Sequence, residues 1–417
     1  MKTSRFHALS CACALFCAAF SSCSEEKLII NGSITLSEPQ AAEGASVNGG
    51  DVTFEYAGGE IALPLTMTTN APEADVVYTY SVKSNADWCA AGIENNVLKL
   101  SVKPTAEKAE KTGTVDLTVA CSDETAELTP LTLNVKQNAF ASVFDMVIVN
   151  PGTFKFGEGK NKTDGSTYAQ SYAHEVTLTK GYYIATTVVT QKIYEEVMGK
   201  NPSYSKFVGD NYPVNKMTWS EACEFCNKLS EKEGLTPVYT PGEIITVSDG
   251  WSYMKMQDYK YDHATAGNGY RLPTEAEWEF AAKGGEEGCK NPTIFSGSDV
   301  ADEVGWFENN SKVGSSPALH EVAQKKPNGL GLYDMSGNVS EWCFDWAYKY
   351  KDELQTTDPE TDPVGAPESR NGGKIIRGGY YSGSDYKGKL WDSNYQAGAE
   401  TRSTTGFRVV EALSNSK

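Results

Sequence analysis

Arg271-Leu-Pro-Thr-Glu-Ala-Glu-Trp-Glu279, Gly329-Leu-Gly-Leu-Tyr-Asp-Met-Ser-Gly-Asn-Val-Ser-Glu-Trp342, Arg377-Gly-Gly379 and Gly406-Phe-Arg408 follow one another in the C-terminal half of a 417-residue chain. The first segment opens a helix. Thr274 and Glu277 have the spacing of a capping box, Trp278, Ala281 and Ala282 share a face, and Gly284-Gly285 ends it. Glu275 and Glu279 therefore read as helix-surface or packing carboxylates rather than an acid–base pair. The second segment lies in a stretch, Asp302 to Trp346, rich in Gly, Asn, Asp and Trp. Irregular backbone of that length must satisfy its polar groups without ladders, and a bound cation is one way. Asp334 and Glu341 set two carboxylates around a Gly-centred bend; these are hard ligands suited to calcium, in a pattern that is not an EF-hand loop. Carboxylates hydrogen-bonded to loop amides without metal are the alternative.

Taken together, the four segments resemble the sulfatase-modifying-factor family, whose best-known members are the formylglycine-generating enzymes. The resemblance covers nearly all of residues 139–411. It implies an irregular α+β, C-type-lectin-like fold. It also implies calcium held by the side chains of Asp334 and Glu341 and the carbonyls of Gly337 and Val339. Those enzymes oxidise a substrate cysteine with copper bound by two cysteines between the RGG and GFR motifs. Here that interval, Tyr380 to Thr405, contains no cysteine, so copper is not expected. Ser340 stands where the family commonly has Trp, which implies a reshaped cleft. Cys226 would face a disulfide partner near GFR, but this chain has Val409-Val410 there.

Upstream, Met146-Val-Ile-Val-Asn-Pro-Gly-Thr-Phe154 looks like the family's first strand and turn, and His174–Leu178 and Tyr182–Ile184 read as strands. Thr190 caps a helix ending at Gly199. Thr218 with Glu221 opens another, on which Ala222, Phe225, Cys226 and Leu229 form one face before Gly234. Cys223-x-x-Cys226 falls inside that helix with no second such pair, so the two read as buried thiols rather than a zinc or redox site.

Between Gly44 and Asn138 the pattern changes to period two: Val52-Phe54-Tyr56, Ile61-Leu63-Leu65, Val76 to Val82, Leu98-Leu100-Val102, Val115-Leu117-Val119 and Leu131-Leu133-Val135. About seven short strands with Gly, Asn and Pro turns predict an antiparallel, immunoglobulin-like β-sandwich. Ser84-Asn-Ala-Asp-Trp88, the Asn95-Asn96 turn and Leu131–Gln137 resemble a BACON-type domain, a family credited with carbohydrate binding; a spacer role and a core position for Trp88 are the preferred readings.

At the N-terminus, Lys2 and Arg5 precede an apolar run, Ala8 to Phe20, too short to span a bilayer. Phe20-Ser-Ser-Cys23 resembles a bacterial lipobox, with Cys23 lipidated, and Ser24-Glu-Glu-Lys27 resembles the surface-export tag of Bacteroidetes lipoproteins. The expected organisation is a signal peptide 1–22, a tether 23–43, the sandwich 44–138 and the head 139–417. Net charge is −18, and loss of Lys2 and Arg5 with the signal makes it −20. Such a surface repels phosphate backbones and disfavours nucleic acid. Six cysteines remain after Cys23, allowing 15 pairings; Cys89 with Cys121 is one bond the sandwich would permit.

Elsewhere His174, His263 and His320 form no close pair in sequence, and no nucleophile elbow, P-loop or dinucleotide fingerprint occurs. Tyr380, Tyr381, Tyr386, Trp391 and Tyr395 alternate with Ser, Asp and Asn, a composition suited to an adaptable contact surface, or else to covering a core. The combined expectation is a lipid-anchored outer-membrane protein on the cell surface. Its head would bind extracellular glycan or protein ligands or act as a scaffold, touching the membrane only through its anchor. The competing class is an oxidoreductase of the formylglycine-generating type, using unrecognised ligands.

Overall fold

A computed structural model describes residues 30–70, 77–122, 126–160, 166–262, 267–347, 358–366 and 372–413. The signal peptide, Cys23 and His263 lie outside them. The N-terminal unit is a sandwich of β1 (Asn31–Leu36), β2 (Ala41–Glu43), β3 (Ala45–Asn48), β4 (Asp51–Phe54), β5 (Gly59–Thr69), β6 (Tyr78–Ser84), β7 (Cys89–Glu94), β8 (Val97–Val102), β9 (Lys111–Cys121), β10 (Glu127–Thr129) and β11 (Leu131–Gln137). One sheet runs β10-β1-β5-β8-β7 with β2 on β5; the other runs β3-β4-β11-β9-β6. Alternation drives this arrangement: Ile61, Leu63, Leu98, Leu100, Val115, Leu117, Leu133 and Val135 all face one core. Trp88 packs half-buried against it. Asn95 and Asn96 both adopt positive φ, closing the β7–β8 hairpin.

Three expectations need correction here. Residues 31–36 and 41–43 are strands of the sandwich rather than tether, with Ile34 in the core. Their partners lie far along the chain, so local pattern reading does not reveal them. The sandwich is also not wholly antiparallel, since β1 pairs β10 and β4 pairs β11 in parallel. Finally, the bond between Cys89 and Cys121 does not form: Cys121 pairs with Tyr78 at the start of β6, whereas Cys89 opens β7 beyond the other end of that strand.

The head follows in chain order as β12 (Met146–Val149), β13 (Gly152–Lys160), β14 (Thr167–Leu178), β15 (Tyr182–Ala185), α1 (Gln191–Met198), α2 (Trp219–Lys232), β16 (Thr240–Ser248), β17 (Tyr253–Lys260), β18 (Tyr270–Arg271), α3 (Glu275–Ala282), α4 (Gly285–Lys290), α5 (Ala301–Val304), β19 (Lys312–Val313), β20 (Ser316–Pro317), β21 (Ser340–Trp346), β22 (Glu360–Thr361), β23 (Gly373–Arg377), β24 (Asn394–Ala397), β25 (Thr405–Gly406) and β26 (Val410–Ala412). Two four-stranded sheets organise it, β12-β15-β26-β18 and β24-β23-β21-β25. Both capping boxes form: Thr218 with Glu221 starts α2, and Thr274 with Glu277 starts α3. The face of α2 carrying Ala222, Phe225, Cys226 and Leu229 is buried in one core cluster. Helix α3 is enclosed on nearly all sides, including Glu277 and Glu279, which makes these carboxylates packing groups.

The two units dock through aromatic rings. Phe140 stacks on Tyr183 at 4.6 Å and meets Tyr56 edge-on at 5.0 Å. Tyr183 donates to Thr105 O (3.0 Å), and Tyr56 to Glu411 Oε1 (2.6 Å). Among the described residues no helix is long and apolar enough to cross a membrane.

Candidate functional site

The charged residues of the four motifs, all but Asp334, pair with one another. Arg271 grips Glu277 with both terminal nitrogens (2.6 and 2.7 Å), and the same carboxylate closes the capping box through Thr274 N. Arg377 of the RGG segment reaches Glu275 Oε1 and Glu279 Oε2, each at 2.8 Å. Arg408 of GFR holds Glu341 in a two-pronged contact (2.6 and 2.7 Å), and Trp278 Nε1 donates to the same carboxylate at 2.8 Å. All three arginines are buried. Buried charges need such partners, and the pairs lock α3, β21, β23 and the GFR segment in register. The motifs act as internal ties.

In the Asp334 loop one carboxylate oxygen is uncommitted. Asp334 is buried, its Oδ2 accepts from Ala323 N (2.8 Å), and its Oδ1 has no hydrogen-bond partner. Burial pushes its carboxyl up to about 6. The neighbouring Asn338 amide is turned to His320, donating to its carbonyl and accepting from its N–H. Gly337 has φ +85°, and a Cβ there would stand 2.5 Å from Trp306 O, so the bend requires glycine. At the other end Glu341 is engaged by Arg408 and Trp278. Among the described residues no cluster of three or more His, Cys, Asp or Glu side chains could hold a metal, so any calcium here would lean on Asp334 Oδ1 and loop carbonyls.

The five aromatics of the RGG-to-GFR interval divide. Tyr386 and Tyr395 are exposed and Tyr380 is half-buried, whereas Tyr381 and Trp391 are buried. Tyr381 and Trp391 thus cover the core, the alternative reading, and are not part of the contact surface expected of all five. Tyr381 packs edge-on to Phe207 at 5.5 Å within a small cluster with Val188, Leu319 and Val339. Trp391 lies over Gly159, where any Cβ would stand 2.1 Å from its ring. The flanking serines and aspartates gave these two rings the appearance of surface residues.

Of the cysteines, Cys223 and Cys226 are buried free thiols on α2, and burial pushes both up. Cys289 is half-buried and pushed up to about 12, again by burial. His174 Nε2 lies 3.0 Å from Glu360 Oε2, and His320 stacks on Trp306 at 3.8 Å while its Nε2 donates to Ser311 O. Neither imidazole faces the other.

Two features escaped sequence reading. Lys374 is fully buried with its ammonium over Trp346 (3.5 Å) and Trp219 (3.7 Å), donating to Phe344 O at 3.0 Å. Burial lowers it to about 7. Strand alternation alone does not place a lysine among tryptophans; a register shift between Trp342 and Trp346 does. The second feature is the β16–β17 hairpin, whose Asp249-Gly250 turn was a legible signal.

The fold and the linked motifs define a class, and the chain belongs to it: the sulfatase-modifying factor enzyme 1-like domain matches residues 132–413. Among curated relatives, the chaperone protein LppX of Paenibacillus barcinonensis is 39% identical over 217 residues, covering 48% of this chain and 71% of that protein. The formylglycine-generating enzyme of Streptomyces coelicolor is 36% identical over 124 residues, 27% of this chain, which thus spans about a third (36%) of that enzyme. Among solved structures, Treponema denticola variable protein 1 superposes with a TM-score of 0.50 at 32% identity, covering 64% of this chain and 94% of that one.

Proposed function

We propose that this chain is an exported, lipid-anchored binding protein, held at the outer membrane through Cys23, whose head has the formylglycine-generating scaffold without its oxidase chemistry. One observation carries the reading: the interval from Tyr380 to Thr405, where the family's copper-binding thiols lie, has no cysteine. The motif charges support it, since all of them but Asp334 are engaged in internal pairs. In this reading the sandwich spaces the head from the membrane, and the partner is an extracellular glycan or protein rather than nucleic acid, which the net charge of −18 repels. Calcium, where bound, is structural, held by Asp334 with the Gly337 and Val339 carbonyls, and Glu341 beside them on Arg408.

The test is incubation of the purified protein with a sulfatase-motif cysteine peptide, copper and oxygen, read by mass spectrometry. No aldehyde product above a metal-only control is expected; its appearance favours the oxidoreductase reading instead. Cys23→Ser should move the protein from the membrane to the soluble fraction.

A second reading, a chaperone for another exported protein, is favoured by the 39% identity to LppX across 71% of that protein. Suppression of aggregation of a co-exported client would distinguish it.

A further inference from the structure

We propose that the outward face of the β16–β17 hairpin is a platform for a neutral polysaccharide, with Trp251 and Tyr253 stacking on its sugar rings. This rests on the head being a binding module and names its ligand class.

The hairpin has two unlike faces. Inward, Val247 and Met256 are buried in the core, and a Cβ on Gly372 or Gly398 would stand 2.1 Å from Val247 Cγ1 or 2.4 Å from Met256 Sδ. Outward, Trp251 is 95% exposed, Tyr253 85% and Ile244 67%. Of the large hydrophobic side chains whose exposure is described, none is more exposed than these two.

Their exposure is not that of a loose tip. Asp249 Oδ1 accepts from Trp251 N (2.8 Å) and Ser252 N (2.6 Å), Ser248 Oγ accepts from Gly250 N (3.0 Å), and Ser248 pairs across the strands with Tyr253. The rings are presented on fixed backbone, so little order is lost when something covers them.

Chemistry and charge select the occupant. Rings this exposed line no cleft, so the platform cannot enclose a small molecule; it suits an extended chain lying across it. Beside the rings stand the Ser248, Ser252 and Thr246 hydroxyls and the Lys255 ammonium, which contacts Thr246 Oγ1 at 2.8 Å. These groups match sugar hydroxyls, and an apolar protein surface would leave them unpaired. Lys255 and Arg402 offset Glu243 and Asp249 at the hairpin, but the chain's net charge of −18 disfavours anionic polysaccharides and anionic lipid headgroups. Neutral pyranose rings offer C–H faces to indole and phenol and bring no charge to be repelled.

The test is affinity electrophoresis of the full chain in native gels containing mixed-linkage β-glucan, galactomannan, soluble starch or dextran, with polygalacturonate as the anionic counterpart. Retardation is expected in at least one neutral gel and not in polygalacturonate. Trp251→Ala with Tyr253→Ala should weaken it at least tenfold at unchanged melting temperature. Trp251→Ala alone, at the more exposed position, keeps the test decisive if the double variant misfolds. No retardation of the wild type in any neutral gel overturns the proposal, as does equal retardation in polygalacturonate. Full retardation of a folded variant overturns the platform while leaving the head a binding module; aldehyde formation in the peptide assay removes that broader reading instead.

Discussion

Replacing Glu279 by Gln tests whether the motifs are structural ties. Glu279 is fully buried; its Oε1 accepts from Gly157 N and Lys283 Nζ at 2.8 Å each, and its Oε2 from Arg377 at 2.8 Å. The amide is isosteric but neutral, and its NH2 must point either at a guanidinium or at an ammonium and a backbone N–H. Donor then faces donor: Arg377 keeps the more exposed Glu275 and the Leu390 carbonyl, and Lys283 the Lys155 carbonyl, but the carboxylate between the two buried cations is gone. Breaking a buried pair by removing one partner costs roughly 3–5 kcal/mol. For a unit the size of the head that is a drop of about 6–20 °C in melting temperature, at about 2–4 °C per kcal/mol. Differential scanning calorimetry of E279Q beside E275Q measures it. The second variant is the control, because Glu275 keeps solvent access and offers Arg377 one contact. A loss in E279Q no larger than that in E275Q, or within about 1 kcal/mol of wild type, refutes the reasoning.

Other outcomes follow from the same geometry. Burial raises Glu411 at the domain junction from 4.5 to about 7. The folded chain therefore binds its proton more tightly, and this contribution to stability is full below about 4.5 and is lost as pH rises toward 7. It amounts to roughly 3 kcal/mol at most; urea midpoints across that window should fall for wild type relative to E411Q, and parallel curves would contradict it. Calcium should raise the melting temperature and chelation lower it, with Asp334→Asn abolishing the response; an unchanged response places the ion elsewhere. Tyr381→Ala with Trp391→Ala should destabilise the head by several kcal/mol through cavity formation, whereas Tyr386→Ala with Tyr395→Ala should leave its near-ultraviolet circular dichroism intact.

Much of the architecture was legible because it is written at short range. Capping boxes at Thr218 and Thr274, the glycine stop at Gly199, the Asn95-Asn96 turn and the alternation of Leu98-Leu100-Val102 each depend on residues within a few positions of one another. Their physics is local hydrogen bonding and side-chain periodicity, so sequence by itself determined them. The same holds for what the chain lacks, since a cysteine missing between Tyr380 and Thr405 needs no coordinates.

Only the tertiary structure decided which charges and rings are free. Glu341 and Arg408 are 67 residues apart, Glu275 and Arg377 are 102 apart, and nothing local announces either pair. Trp391 and Tyr395 have similar polar neighbours in sequence, yet one fills the space above Gly159 and the other faces water. Trp251 is left exposed because the hairpin that carries it buries its other face through Val247 and Met256. Burial and partnership depend on which distant segments share a volume, and long-range packing sets that.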